Sequence, residues 1–382
     1  MTWREVPLGS VVTFLDHLRR PITEKDRVPG PVPYFGANGQ QDSVTGFIFD
    51  EPLVLLAEDG GHFDEREKGV AYPICGPSWV NNHAHVLRPK PELNIAYLAR
   101  VLENRNLLPF ISGSTRGKLT KSSAERIPIP LPPLPEQRRI AEILDRADVL
   151  RAKRRQAMTL LDELAESTFN EVFGNIVRND RGWKTAVISD FVAGFTTGKS
   201  VVGSGDDRDE RSPRVLKISS VTTGTFLPNE SKPLPIGYTP LKSHFIERGD
   251  LLFSRANTAE LVGATAYVLH AVPRVTLPDK LWKFAWKRDG LVDPVWVWKA
   301  LSRPEFRRVI SDRATGSGGS MKNISQPVLL GISIALPPFQ IQEDFARRIL
   351  EIECLRESHS IHLSEFDELF ASLQHRAFRG EL

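Results

Sequence analysis

Three residues close together in the sequence could ligate a metal ion. His83 and His85 form an HxH pair and follow Cys75, and imidazole and thiolate groups are common zinc ligands. A structural zinc site needs a second ligand pair at short spacing, and none follows here. We therefore expect both histidines to lie on a strand face or at the surface, and the sequence leaves the role of all three residues open.

Other patterns that could support catalysis are incomplete. Asp64, Glu65 and Lys68 resemble a nuclease carboxylate set, but no strand-like segment precedes them, so a solvated loop is expected. The segment Gly198-Lys199-Ser200 lacks the upstream glycine of a phosphate-binding loop. The sequence contains neither GxGxxG nor the Asn/Asp-Pro-Pro-aromatic motif of amino-methyltransferases. These observations argue against an enzyme.

Polar, glycine-rich segments offer a different chemistry. The segments GSTRGK at 113–118 and GSGGSMK at 316–322 place cationic side chains among glycines, and such groups contact phosphates and base edges of nucleic acids. Tryptophans cluster at 281–298 and could stack on bases, but core packing is the favoured interpretation. We predict DNA contacts from these residues: Asn38, Gln40, Arg116, Lys118, Lys121, Lys199, Arg255, Asn257, Lys322 and Asn323.

The distribution of charge fits local contacts with phosphate. Net charge is only +3, which excludes a uniformly basic coat. Residues 180–335 carry 22 Lys/Arg against 15 Asp/Glu, and residues 105–126 carry five basic residues against Glu125 alone. Patches of this kind attract phosphate, although scattered solvated charge is an equally common reading of any single patch.

Two long helices are predicted to position these segments. The stretch LPPLPEQ at 131–137 opens a run without Gly or Pro that ends before Gly174. The 38 residues from 136 to 173 (173 − 136 + 1) would form a helix of roughly 57 Å. The stretch from 336 to 380 repeats this pattern at a shift of 205 (336 − 131). The chain is therefore a duplicated unit, a globular block followed by a long helix.

A narrow apolar stripe runs along each helix, so each helix needs a partner helix. We expect the two helices to pair antiparallel within the chain, with Arg154 and His359 in one central polar layer. Arg151, Lys153 and Arg155 should then face Glu351, Glu353 and Glu357. The residues assigned to the seam and the subunit interface are Gln137, Ile140, Ile143, Leu150, Leu161, Leu164, Phe173, Gln342, Phe345, Leu355, Phe366, Leu369 and Phe378.

The blocks before each helix contain many short strand-like segments broken by turn residues. PLVLLA at 52–57 and DLLFSR at 250–255 are typical of buried strands. The predicted class is α+β, with mixed α/β blocks at 1–130 and 175–335 and long helices at 131–174 and 336–382. With two cysteines and no apolar signal core at MTWREVPLGS, we expect a cytoplasmic protein with no membrane partner.

The order of these parts, twice over, resembles the specificity subunit of type I restriction–modification systems. Segments that carry the resemblance are YFGANG at 34–39, LLAEDG at 55–60, GSTRGK at 113–118, IPIPLPPLPEQ at 127–137 and RGDLLFSR at 248–255. The resemblance covers essentially the whole chain. One departure is FQIQ at 339–342, where LPEQ stands at 134–137.

The resemblance implies a function that the motifs alone do not establish. Each globular block would be a target-recognition domain that reads one half of a split site in double-stranded DNA, and the helices would set the gap. Such a subunit is not an enzyme and recruits two methyltransferase subunits, which bind S-adenosylmethionine, and a motor-nuclease subunit for cleavage. No cofactor or metal is expected on this chain. The alternative is a coiled-coil scaffold that binds protein without reading DNA.

Overall fold

The computed structural model describes residues 3–63, 69–113, 117–199, 201, 212–235, 237–287, 290–316 and 321–382. The expected α+β class is confirmed. The chain packs as two units, unit 1 with residues 1–157 and 359–382 and unit 2 with residues 158–358. Each long helix is continuous through the boundary and gives one half to each unit, so the units cut across the four predicted segments.

Unit 1 is built on two small sheets. Its elements are β1 (Glu5–Pro7), α1 (Leu8–Val11), β2 (Val12–Phe14), β3 (Pro29–Gly36), β4 (Gly39–Val44), β5 (Phe49–Asp50), β6 (Leu53–Ala57), β7 (Ala71–Ile74), β8 (Pro77–Val80), β9 (Ala84–Pro89), α2 (Ile95–Asn104), α3 (Lys121–Ala124) and β10 (Pro128–Pro130). The strand orders are β2-β9-β6-β7 and β4-β3-β8-β5, and β1 pairs with β10. Every residue of β6 is fully buried, because this central strand packs on both faces, which explains its unbroken apolar run.

Unit 2 repeats this design. Its elements are β11 (Lys184–Val187), β12 (Val192–Thr197), β13 (Arg214–Leu216), β14 (Ser231–Pro233), β15 (Leu251–Ser254), β16 (Ala256–Asn257), β17 (Thr265–Tyr267), β18 (Val275–Thr276), β19 (Leu281–Trp286), α5 (Pro294–Ser302), α6 (Pro304–Arg313), β20 (Lys322–Asn323), α7 (Gln326–Leu330) and β21 (Ser333–Leu336). The main sheet has the order β12-β19-β15-β17. Trp282, Trp296 and Trp298 are buried in the core, so the core interpretation of the tryptophans is confirmed for these three.

The long helices are α4 (Leu134–Phe173) and α8 (Phe339–Arg379). Their first residues differ by the same 205 (339 − 134) as the sequence repeat, so the FQIQ departure leaves the helix start unchanged. In unit 1, Arg151 lies 2.5 Å from Asp367. In unit 2, the rings of Phe169 and Phe345 are 5.5 Å apart. Within each unit, therefore, early residues of one helix meet late residues of the other, which is antiparallel pairing.

The apolar stripe follows a different phase from the predicted seam. Buried apolar positions on α4 begin at Ile140 and continue to Leu144, a step of four where the prediction took a step of three to Ile143. The offset leaves four predicted seam leucines on the surface: Leu150 at 48% exposure, Leu164 at 50%, Leu355 at 54% and Leu369 at 50%. Their expected place in the intrachain seam is wrong, because helical rotation of about 100° per residue separates neighbouring positions.

The central polar layer forms as predicted. In unit 1 the Arg154 guanidinium lies 2.8 Å from Nδ1 of His359. The expected glutamate partners are wrong, since Arg151 pairs with Asp367 and Glu353 pairs with Lys299. Because the two helices run in opposite directions, residues before Arg154 must meet residues after His359.

Candidate nucleic-acid interface

In unit 1, the chain that leaves the central strand meets the loop before α3. We call this place junction 1, formed by residues 58–60 with residues 112–113 and 117–119. Leu119 N–H donates to the Glu58 carbonyl at 2.7 Å, and isolated bridges join Lys118 to Asp59 and to Ser112. Two segments distant in sequence are thereby held as a short ribbon at the end of the sheet.

Unit 2 carries the same arrangement, which we call junction 2, formed by residues 255–257 with residues 315 and 322–324. Ile324 N–H donates to the Arg255 carbonyl at 3.0 Å, and β16 pairs with β20 so that Asn257 lies opposite Lys322. A bridge joins Thr315 to Asn323. The predicted DNA residues Arg255, Asn257, Lys322 and Asn323 are therefore brought together in one ribbon.

The second segments of the two junctions correspond at the repeat shift of 205, and the first segments correspond at a shift of 197 (255 − 58). Leu119 corresponds to Ile324 (324 − 119), and Lys118 corresponds to Asn323 (323 − 118). Lys118 and Lys322 do not occupy equivalent places, because Lys322 stands one residue before Asn323. Likewise, Glu58 occupies the place of Arg255. The backbone ribbon is repeated while the side chains on it differ in charge.

At junction 1, the side chains of the predicted contact residues have different partners. The Lys118 ammonium lies 3.2 Å from Glu58 and its side chain is 49% exposed. Lys121 lies 5.5 Å from the centre of the Phe14 ring and 3.9 Å from Glu125. Asn38 donates to the Gly60 carbonyl at 3.1 Å, which places it at the junction. Arg116 lies outside the described residues.

Gln40 lies away from the ribbon, on the β3–β4 hairpin. Its side-chain amide donates to Ser43 Oγ at 3.1 Å and to the Asp42 carbonyl at 3.2 Å. The structure gives Gln40 local partners on its own hairpin, and its predicted DNA contact stays a prediction.

At junction 2, Arg255 and Lys322 are held by carbonyl groups. Arg255 donates to the Asp279 carbonyl at 2.9 Å and to Asn323 Oδ1 at 3.2 Å, while the Lys322 ammonium donates to the Ser311 carbonyl at 2.7 Å. Lys199 is exposed and follows β12, whose Thr197 hydroxyl donates to the same Asp279 carbonyl at 3.2 Å. Lys199 therefore lies in the segment that borders Arg255.

Sequence reasoning missed a charged network behind junction 1. His85 is 1% exposed, with Nδ1 at 2.7 Å from Asp16 Oδ2 and Nε2 at 2.8 Å from the Leu119 carbonyl. Arg19 donates to Glu58 at 2.6 Å. Burial raises the pKa of Asp16, but the hydrogen bonds to His85 and to the Val86 N–H, together with the charges of His85 and Arg19, hold this pKa below its usual value.

The same network contains side chains of the types that ligate metals. Asp16, Glu58 and His85 offer ligand atoms within 4.8 Å of one another, and both ring nitrogens of His85 face oxygen atoms. His83 bonds Asp59 through Nδ1, and Cys75 is a free, exposed thiol. The HxH pair therefore orients two carboxylates, a role that the spacing of the histidines alone could not indicate.

The interface residues Gln137 and Gln342 lie inside their own units. Gln137 Oε1 accepts from Asn94 N–H at 2.8 Å, and its amide donates to the carbonyls of Glu92 and Pro132 at 2.9 and 2.8 Å. Gln342 makes the corresponding bonds to Asp293 N–H and to the carbonyls of Leu291 and Pro337. Both glutamines are fully buried, so in this conformation they fasten a helix start to its block and do not reach another subunit.

Ile140, Phe173 and Phe345 are likewise buried in the cores of their units, and Leu161 packs against the unit 2 core. Phe378 packs against the unit 1 core, where its ring lies 6.0 Å from that of Tyr97. Ile143 and Phe366 are half-buried. Among the predicted interface residues, the four exposed leucines remain available to a partner.

A groove beside one of these leucines gives unit 1 a candidate docking surface. It measures about 660 Å³ and lies along α4 next to the start of α2, with Asn94, Ala96, Arg138, Ala141, Glu142, Asp145, Arg146, Val149 and Leu150 around it. Its exposed surface is mainly apolar, and an exposed apolar surface rimmed by charge is typical of a protein contact. Across the described residues, no helix is apolar over a length that would cross a bilayer.

Comparison with known proteins agrees with this architecture. Residues 1–159 match the family described as type I restriction modification DNA specificity domain. A putative type I restriction enzyme specificity subunit, S.HindORF215P of Haemophilus influenzae, is 42% identical over 36% of this chain and 36% of its own length. The EcoKI specificity subunit of Escherichia coli K12 is 27% identical over 78% of this chain and 68% of its own.

Similarity also extends over nearly the full chain. The MjaVIII specificity subunit of Methanocaldococcus jannaschii is 22% identical over 93% of this chain and 87% of its own length. The solved S subunit of a type I restriction–modification system from M. genitalium covers 99% of this chain and 96% of its own, with a TM-score of 0.66 and 13% identity, and so shares the fold. Residues 1–159 therefore match a DNA specificity domain of type I restriction–modification systems, and most of the chain is similar to type I restriction enzyme specificity subunits.

Proposed function

We propose that this chain recognises a bipartite site in double-stranded DNA, with each junction at the centre of one reading surface. The observation that carries the proposal is the repetition of one backbone ribbon with different side chains: Glu58 and Lys118 at junction 1, Arg255 and Asn323 at junction 2. A repeated frame with changed hydrogen-bonding groups suits the reading of two different half-sites, because base edges are distinguished by donor and acceptor patterns.

The proposal includes partners. Specificity subunits of this kind are non-catalytic. Methylation would therefore come from two adenine methyltransferase subunits that carry S-adenosylmethionine, and cleavage would come from a motor-nuclease subunit. The exposed leucines of α4 and α8 and the unit 1 groove would receive the methyltransferase subunits. The cytoplasm is the proposed location, in keeping with two free, exposed thiols. A protein-binding scaffold without DNA reading is not favoured.

Exchange of one recognition block tests the function directly. Residues 1–130 would be replaced by the corresponding block of a relative, and the adenine methylome of a host carrying the chimera with its methyltransferase would be sequenced. We expect one half of the methylated motif to change and the other half to remain. The reverse chimera, with 180–335 replaced, is the matched control and should change the other half. A change of both halves in a folded chimera would contradict the proposal.

A further inference from the structure

In both junctions, a side chain from one segment of the ribbon contacts a side chain from the other segment. At junction 1, the Lys118 ammonium lies 3.2 Å from the Glu58 carboxylate. At junction 2, the equivalent residues are Asn323 and Arg255, and Arg255 Nη1 donates to Asn323 Oδ1 at 3.2 Å. The same two places are therefore coupled in each unit, but by different chemical groups.

Backbone hydrogen bonds fix both residues of the junction 2 pair. Arg255 N–H donates to the Lys280 carbonyl at 3.1 Å, and the Arg255 carbonyl accepts from Ile324 N–H at 3.0 Å. Asn323 N–H donates to the Thr315 carbonyl at 2.8 Å, and the Asn323 carbonyl accepts from Thr315 N–H at 2.9 Å. Neither residue can shift along the ribbon without breaking two of these bonds, so the pair is held in place before any ligand arrives.

The contact between the two side chains determines which way the Asn323 amide faces. An arginine side chain only donates hydrogen bonds, so the amide oxygen must face Arg255, and the Nδ2 amino group lies on the opposite side of the amide. Arg255 Nε is bonded to the Asp279 carbonyl at 2.9 Å. Within the described part of the chain, no acceptor is bonded to Arg255 Nη2 or to Asn323 Nδ2.

The free groups of this pair match one base edge in the major groove of DNA. Arg255 Nη2 and Asn323 Nδ2 are both donors. Guanine presents two neighbouring acceptors there, O6 and N7, whereas adenine and cytosine present a donor, and thymine presents one acceptor beside its methyl group. Asn323 is exposed on a two-stranded antiparallel ribbon, a shape that the major groove admits.

We propose that Arg255 and Asn323 read a guanine in the second half-site, and that Arg255 turns the Asn323 amide so that it donates. This inference rests on the proposed function and deepens it, because it names the base. An asparagine that is free to turn typically pairs with adenine, a contact that also uses the amide oxygen as acceptor. The assignment applies to junction 2 only, since the Glu58 carboxylate at junction 1 is an acceptor.

Removal of guanine N7 tests the contact without changing the protein. The full complex of this chain with its methyltransferase subunits is titrated with duplexes that carry the methylated motif. In each duplex, one guanine of the second half-site is replaced by 7-deazaguanine, which has C–H in place of N7. We expect one of these duplexes to bind about five- to tenfold more weakly, as for a damaged bidentate contact. The same replacement in the gap between the half-sites is the control and should leave the affinity unchanged.

Asn323→Asp tests the donor group. It keeps an oxygen toward Arg255 but replaces the free amino group by a second oxygen. We expect it to abolish the 7-deazaguanine effect and to lower the preference for guanine over the other bases at that position at least about fivefold. Each preference is a ratio between duplexes, so a general loss of affinity from the added negative charge cancels. Asn229→Asp, at an exposed asparagine of unit 2 outside junction 2, is the matched control and should keep the parent's preference.

Arg255→Met tests the orienting role of the arginine. The Asn323 amide is then free to turn, so adenine should be accepted at this position at least as well as guanine. A variant complex that still prefers guanine to the parent's extent would overturn the role of Arg255.

The remaining outcomes distinguish this inference from the proposed function. A complex that binds no duplex contradicts the proposed function. A complex that binds its motif but tolerates every 7-deazaguanine, or whose second half-site contains no G·C pair, overturns the reading of guanine and leaves DNA recognition intact. Equal weakening by 7-deazaguanine in the parent and in Asn323→Asp overturns the assignment to Asn323. Uniform weakening in Asn323→Asp with unchanged base preferences indicates a phosphate contact and overturns it as well.

Discussion

The side-chain oxygen of Gln137 accepts a hydrogen bond from the backbone N–H of Asn94 at 2.8 Å, and Asn94 is the N-cap of α2. The start of the long helix is thereby tied to the start of the short helix beneath it. Gln342 makes the same bond to the N–H of Asp293 at 3.0 Å, the N-cap of α5. The glutamine near the start of each long helix therefore anchors that helix to the globular block before it.

Replacing this glutamine should destabilise its unit. Gln137→Leu leaves Asn94 N–H and the carbonyls of Glu92 and Pro132 without their partner, and unsatisfied buried groups cost about 1–3 kcal/mol. We expect a loss of that size in urea unfolding followed by circular dichroism. Gln156→Leu, at an exposed position of α4, is the control and should change stability by under about 0.5 kcal/mol. Equal losses of stability in the two variants would contradict this anchoring role of Gln137.

Asp16 should make stability depend on acid pH. Its pKa in the folded chain is lowered from 3.8, so its ionised form contributes stability that is present above the unfolded pKa and lost as pH falls through the folded pKa. We therefore expect the stability difference between the parent and Asp16→Asn to be constant above about pH 5 and to shrink progressively below about pH 4. Urea midpoints across pH 2.5 to 7 measure it. A difference that grows toward acid pH would reverse the sign and refute the assignment.

The junction side chains should affect DNA binding in different ways. Lys118→Ala should weaken binding to all sequences alike and reduce the salt slope by about one, as expected for a phosphate contact. Asn323→Ala, at the equivalent place in unit 2, should leave the slope unchanged and relax base preference in the second half-site by about 1–3 kcal/mol. Binding to a panel of duplexes at several salt concentrations separates the two effects. Lys232→Ala, at an exposed residue of β14, serves as control.

The exposed leucines should contribute to subunit assembly. Leu150→Glu and Leu355→Glu place a charge on surfaces that are 48% and 54% exposed, so folding should be kept while association with the methyltransferase subunit weakens at least tenfold. Sedimentation of the mixed subunits measures the association. Leu241→Glu, at a leucine 60% exposed and outside the long helices, should associate as the parent does. Unchanged assembly of both helix variants would remove these leucines from the interface.

Lengthening the first helix should change the gap in the recognised site. Four residues inserted after Ala152 add roughly 6 Å to α4 and shift the heptad phase by a stutter, next to the Arg154–His359 layer that would fix register. We expect a methylated motif with a longer gap, or loss of methylation, with unchanged half-site bases. A methylome with the original gap from a stably folded insertion variant would exclude a spacer role for the helix.

The sequence by itself determined the duplication, the two long helices and the resemblance to specificity subunits. These depend on order and periodicity along the chain: Leu134 and Phe339 open helices at one fixed shift, and the apolar run of β6 already indicated a strand buried on both faces. The central meeting of Arg154 and His359 also followed from length alone, because antiparallel helices of equal length must cross near their midpoints.

Only the tertiary structure decided which side chains share a site. Leu150 and Leu164 could not be assigned to the surface from spacing, since a stripe with steps of three and four tolerates either phase until a partner selects one. The pairing of Lys118 with Glu58 and the burial of His85 between Asp16 and Leu119 join four segments distant in sequence. Such contacts depend on strand order in the sheet, which no local pattern of residues specifies.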